Sequence, residues 1–321
     1  MVYPIDLSRE RQSISMASGI FQICWNERSF SKLEPGFVAF DWRRNPHPDH
    51  REFAAFRELH ARGDTRKFDL TGAFSPKFAA KSGVSGLEFK QWVGDNPGYD
   101  FYFVDPRPQF PVFFFNGWIN SSHQFGSRFL ACAREIIELA GYEPDVWINQ
   151  REDFSNAFCM NFWVAKKEFW DRLMGVIDNI LSVDRQKLRP ESRSFLFEPR
   201  QWRAPNQLPV AQIALVLERV VTSLAIADGS LRRLAYPASP ERIKYCCRSP
   251  AEWELYKSFA PIAARLDEQG LASSEAGKSY FDMAGRAMTS VSRLYTQSFG
   301  HPQGDSESGL EHRLHDLVDE A

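Results

Sequence analysis

Between Trp92 and His123 the chain reads W-V-G-D-N-P-G-Y-D-F-Y-F-V-D-P-R-P-Q-F-P-V-F-F-F-N-G-W-I-N-S-S-H. An apolar run over residues 99–104 ends in Asp105-Pro106, so a carboxylate leaves the C-terminal end of a buried strand. Open α/β sheets gather ligand-binding groups along that edge. There a carboxylate can hold a divalent ion against a diphosphate or accept a hydrogen bond from a ribose; Asp before Pro equally starts a turn. Asp100 lies five positions earlier and, on a straight strand, faces the other way. Lys77 and Lys81, in F-S-P-K-F-A-A-K-S-G between a strand and a helix, could neutralise phosphate charge or lie solvated on the surface. His123 could take a proton from a hydroxyl or be an ordinary loop histidine. Glu218 and Arg219 interrupt an apolar helix, where unpaired charge is costly. They read as a structural ion pair, or Glu218 faces a cleft as an acid/base group.

These groups must be held by a scaffold, and the periodicity describes one. Residues 19–25, 36–42, 67–74 and 99–104 read as buried strands, with 145–148, 158–165 and 232–237 added further on. Helical patterns fall between them at 49–62, 85–92, 127–140 and 166–181. Ser85 and Glu88 stand at capping-box spacing, and Gly141 suits a helix stop. Pro209 at a first helical position opens an apolar helix within 208–227. Strands alternating with helices predict an α/β fold with a mostly parallel or mixed sheet. Helices over 251–269 and 275–295 follow, then a polar stretch at 300–309 and a short amphipathic tail carrying Leu310, Leu314 and Leu317. The expected organisation is a main domain over 1–240, a helical extension over 241–299, and a linker with tail helix over 300–321. The tail is expected to dock on the body or on a partner subunit.

Several functions are excluded. With 39 basic and 41 acidic residues the formal charge is −2, which lacks the basic surplus of a nucleic-acid binder. Five scattered cysteines form no disulfide framework and fit a reducing compartment. No signal-peptide stretch follows the first residues, and the apolar segment at 208–227 carries charges at its centre, so neither export nor a membrane span is expected. Gly277-Lys278-Ser279 mimics the end of a P-loop, but the earlier glycine is replaced by Ala272. No G-x-G-x-x-G or G-x-S-x-G pattern occurs. The pairs His47/His50 and His312/His315 have no convergent Cys or carboxylate partners in the sequence reading, so no metal is expected there.

The run over residues 99–123, the helix at 127–140, and F-C-M-N-F-W-V-A-K-K-E-F-W-D at 158–171 together resemble bacterial capsule and O-antigen glycosyltransferases. The matching features are the strand ending in Asp105, the downstream His123, Asn161-Phe162-Trp163-Val164 and the aromatic pair Phe169-Trp170. A late helix, L-P-V-A-Q-I-A-L-V-L-E-R-V-V-T-S-L, adds a further match, and the likeness covers roughly residues 19–237. It implies a GT-A-like nucleotide-sugar-binding domain that moves a sugar from a nucleotide-sugar donor to a glycan or lipid-linked acceptor. It places such a protein in the cytoplasm, at most peripheral to the inner membrane. Asp105 would anchor the donor or a Mn2+ or Mg2+ ion. Asn116 and Asn161 would bind hydroxyls, and His123 or Glu218 would act as base. The family's D-x-D pair is incomplete, because Phe103 and Asp105 flank Val104. The competing class is a non-catalytic carbohydrate-binding or assembly protein that uses the aromatic-rich sheet as a platform.

Overall fold

The computed structural model describes residues 18–200 and 210–299. In chain order its first half contains β1 (Ser18–Cys24), α1 (Glu27–Ser31), β2 (Val38–Asp41), α2 (Glu52–Ala61), β3 (Leu70–Phe74), α3 (Phe78–Ser82), α4 (Gly86–Asp95) and β4 (Phe101–Phe103). The middle holds α5 (Phe110–Phe113), α6 (Gly117–Phe125), α7 (Arg128–Leu139), α8 (Pro144–Ile148), β5 (Trp163–Ala165), α9 (Lys167–Leu181) and α10 (Pro190–Phe197). Then come α11 (Ile213–Ala227), β6 (Arg233–Ala235), α12 (Pro240–Cys246), α13 (Pro250–Glu268) and α14 (Glu275–Phe299).

The expected α/β fold with a mixed sheet is present. Six strands run in the order β2-β1-β3-β5-β4-β6. β1 is parallel to β2 and β3, and β4 is parallel to β6; β5 runs antiparallel to both β3 and β4. At the β3–β5 contact Gly72 is required by space, since a Cβ there would lie 2.5 Å from the Trp163 carbonyl oxygen. Strand alternation sorts side chains to two cores. Phe101, Phe103, Trp163 and Ala165 enter the core under α2, α7, α9 and α11. Tyr102, Val104, Phe162 and Val164 join Phe78, Phe89 and Val93 on the other face. The stripes of α7 and α9 are buried as their spacing predicts, with Ile136, Leu173 and Ile177 fully enclosed.

A third core, built from Val112–Phe115 with Ala263, Phe281, Ala284 and Met288, joins α13 and α14 to α5. The boundary expected at 240 coincides with the start of α12, yet α12 reaches back into the main body. Arg242 donates to the Ser82 carbonyl at 3.1 Å, and Tyr245 to that of Ala80 at 3.2 Å.

Three local expectations are corrected. Residues 145–148 form the helix α8 rather than a strand, because Pro144 occupies its first turn and the Glu143 side chain caps it by accepting from the Asp145 amide. Residues 158–162 are not strand: Met160 and Asn161 adopt left-handed backbone with φ of 61° and 57°. The Ser85 cap accepts from the Glu88 amide at 3.2 Å, but the Glu88 carboxylate accepts from Tyr236 instead of closing the box. Pro209 and the tail from residue 300 lie outside the described residues. Among the described residues no helix is long and apolar enough to cross a membrane.

Candidate functional site

β4 runs out through Val104, whose amide donates to the Phe162 carbonyl at 2.9 Å, and delivers Asp105 to the C-terminal edge of the parallel strands. Because β5 is reversed, the segment leading into it lies at this same edge. Cys159 therefore meets Asp105, its thiol donating to Oδ1 at 3.5 Å. The Arg107 amide donates to the same oxygen at 2.9 Å. Arg242 donates to the Asp105 main-chain carbonyl.

The left-handed Met160-Asn161 pair costs on the order of 1–3 kcal/mol per residue unless neighbours hold it. Two carboxylates supply that hold. The Met160 amide donates to Glu218 Oε1 at 3.2 Å, and Asn161 Nδ2 donates to Glu52 Oε1 at 3.1 Å. Glu52 itself follows Arg51, another residue with positive φ (50°). Glu218 is also paired with Arg219.

The opposite wall is the N-terminus of α6. Asn116 caps it, accepting from the Ile119 amide at 2.9 Å, and the first helical amide, that of Gly117, donates to Glu152 Oε2 at 2.9 Å. Free amides at a helix start favour such a carboxylate. Gly117 makes room for the partner charge, because a Cβ there would stand 2.7 Å from Arg219 Nη1. Asp105, Asn120, Glu152, Cys159, Arg219 and Phe114 line a cavity of about 20 Å³ between these walls.

Burial dominates the electrostatics. It raises Asp105 to about 6 against the pull of the Arg107 amide and Arg242, and raises Glu152 to about 7 against Arg219. It pushes the Cys159 thiol well above its usual range, with Asp105 adding to the effect. It lowers Lys81 to about 8, although Glu52 and Glu218 attract its ammonium. Arg107 is 2% exposed, and its Nε and Nη2 have no hydrogen-bond partner among the described residues; neither does Nε of Arg219. A strand-end cavity thus gathers two carboxyl groups that titrate near neutrality and guanidiniums with unused donors, a combination that marks sites of chemistry.

Of the residues singled out in the sequence, Asp105, Lys81 and Glu218 come together here. Asn161 and Asn116 are also present, but their amides are occupied by the protein. Asn116 Nδ2 donates to the carbonyls of Ile148 and Gln150, both at 2.7 Å, and Asn161 Oδ1 accepts from Trp163 Nε1 at 3.4 Å. Lys77 is exposed at the start of α3. Asp100 sits at the far end of β4, bound to Lys166 at 2.6 Å and Arg232 at 3.1 Å. His123 faces α14, its Nε2 3.6 Å from Asp282, and burial lowers its pKa. Glu152 and Cys159, which line the cavity, and Arg107, beside Asp105, carried no sequence signal, since each comes from a loop whose course is set by tertiary packing. Gly277 to Ser279 lie inside α14, in a helix and not in a phosphate-cradling loop.

A dedicated Mn2+ or Mg2+ cage does not fit Asp105. Such ions need several oxygen ligands, whereas Asp105 Oδ1 already accepts from Arg107 and Cys159, and cationic groups surround it. Among the described residues, the one group of three potential ligands is His47, Asp49 and His50. This corrects the expectation that the first histidine pair has no convergent carboxylate.

Comparison with protein-family models, curated proteins and solved structures finds no match to the chain.

Proposed function

We propose that this protein is a glycosyltransferase with a GT-A-like domain, acting in the cytoplasm on a nucleotide-sugar donor and a glycan or lipid-linked acceptor of polysaccharide assembly. The observation that carries the reading is the buried Asp105–Glu152 cavity at the C-terminal edge of the parallel strands, with Arg219 in its lining, Arg107 and Arg242 beside Asp105, and Lys81 close to Glu218. On this reading the cations neutralise the charge that develops on the leaving diphosphate, which is the usual source of stabilisation in such transfers. Asp105 orients the donor. Glu152, held near neutrality, takes the acceptor hydroxyl proton in place of His123, whose side chain faces α14. A cavity of about 20 Å³ holds no more than a water-sized group, so donor binding requires its walls to part.

The binding-module alternative needs exposed rings on the sheet. Phe101, Tyr102, Phe103 and Trp163 are at most 1% exposed, which favours the transferase.

Thermal-shift titration with UDP, GDP, CDP and TDP, with manganese and with EDTA, tests the proposal. One nucleotide should stabilise the protein, and Asp105→Asn should weaken that nucleotide about tenfold to a hundredfold without lowering the unliganded melting temperature, since the amide keeps the side chain neutral as burial favours. No response to any of the four, or undiminished binding by Asp105→Asn, would shift preference to the binding module.

A further inference from the structure

The segment His47-Pro48-Asp49-His50 takes no part in the carboxylate cavity, yet it gathers three metal-ligating side chains. Pro48–His50 form a turn of 3₁₀ helix with His47 at its cap. At three residues per turn, positions i and i+3 eclipse, so the two imidazoles stack with centroids 5.3 Å apart and planes 22° from parallel. Asp49 Oδ2 lies 3.7 Å from His50 Nε2. One donor atom from each of the three residues falls within 4.8 Å of the others. An Asn45 side chain accepts from the His47 amide at 3.2 Å and fixes the start of the turn.

One further observation points to a ligand. His50 is 8% exposed, and its Nδ1 is buried without a hydrogen-bond partner, an arrangement that costs free energy unless something repays it. The turn ends directly after it in Arg51, at φ 50°. The nearby guanidiniums are engaged elsewhere: Arg57 binds Asp178 at 2.7 Å, and Arg185 lies 4.0 Å over the Phe197 ring.

We propose that His47, Asp49 and His50 bind one borderline divalent transition ion of the zinc, cobalt or nickel type. Two imidazoles and a carboxylate suit such an ion and not magnesium or calcium, which prefer all-oxygen shells. Tetrahedral bonds of about 2.1 Å place donors roughly 3.4 Å apart, so from within 4.8 Å the three must draw in by up to about 1.4 Å. The exposed His47 is free to make that movement. Three protein ligands leave the fourth position to solvent. The ion would clamp the turn that ends in Arg51 and so steady Glu52, which anchors the left-handed Asn161 at 3.1 Å.

The test uses chelator-treated full-length protein titrated with zinc by calorimetry and with cobalt by visible absorption. One ion per chain is expected, with the intense visible bands of tetrahedral cobalt and a zinc-dependent rise in melting temperature. His50→Ala risks misfolding, so the deciding variants are His47→Gln and Asp49→Asn, at positions that are not buried. Each should weaken the ion at least about tenfold and abolish the thermal gain. Binding that survives in both variants, a thiolate-to-cobalt absorption that reports cysteine ligands, or no uptake at micromolar ion would each overturn the site.

Discussion

Glu152 makes the site's electrostatics measurable without a ligand. Its folded value of about 7 lies above the ordinary 4.5, so the folded protein holds a proton that the unfolded chain releases. Asp105, at about 6 against 3.8, behaves likewise. Stability from both groups is therefore complete below about pH 4 and is lost as pH rises through 6 to 7. Replacing Glu152 with Gln removes its share. Urea unfolding of the variant between pH 5 and pH 8 should show a decline shallower than wild type by up to about 3 kcal/mol. Superimposable pH profiles would mean that the carboxyl is not buried as described. The sequence pointed to Asp105 because the end of an apolar strand announces itself in the residues. Glu152 was illegible, since its role depends on the amide of Gly117 and the guanidinium of Arg219, which lie far from it in sequence.

Two glycines in helices show how an element's sequence encodes its surroundings. Gly117 opens α6, where a Cβ would press within 2.7 Å of Arg219 Nη1 and 2.9 Å of its Cδ. Arg219 is buried and paired with Glu218, so it has little freedom to retreat. Gly117→Ala should cost about 1–3 kcal/mol. Gly175 lies inside α9 with nothing within 4 Å of its virtual Cβ, and Gly175→Ala should stabilise by about 0.5–1 kcal/mol. Chemical denaturation of the pair checks both, and equal effects would refute the packing at α6. Long amphipathic helices such as α7 and α9 were legible because their burial repeats every turn. The short helices α5, α6 and α8 were not: four to nine residues carry too little period, and caps such as Glu143 and Asn116 decide them. The stretch at 158–162 has the composition of a strand, and long-range bonds to Glu218 and Glu52 override it.

The C-terminal helices are fastened to the body at several points. Arg151 binds Asp267 through two bonds of 2.9 and 2.8 Å, and Glu252 accepts from Gln109 at 2.7 Å. Phe113, Phe114 and Phe115 lie at most 5% exposed beneath α13 and α14. The alternation of strands and helices made the α/β class and the helical extension legible in the sequence. That the extension completes the core behind α5 was not, because the run over 110–115 reads as a continuous apolar stretch with several destinations. A chain ending at Ser249 should expose these rings, bind a hydrophobic dye and lose cooperative unfolding. A monomeric product with the wild-type melting temperature would show that the extension is a separate unit.

The reversed β5 also sets a timetable for the nascent chain. It is the strand that bridges β3 to β4, so the sheet consists of two separate pieces until Ala165 has been synthesised. Throughout that interval β3 and β4 both present bare hydrogen-bonding edges, the kind that recruit wrong partners. β6 closes the far side of β4 only after another 68 residues, from Ala165 to Arg233. A protein assembled in this sequence completes its sheet late and through distant contacts, with the facing edges of β3 and β4 open until β5 is made and the far edge of β4 open until β6.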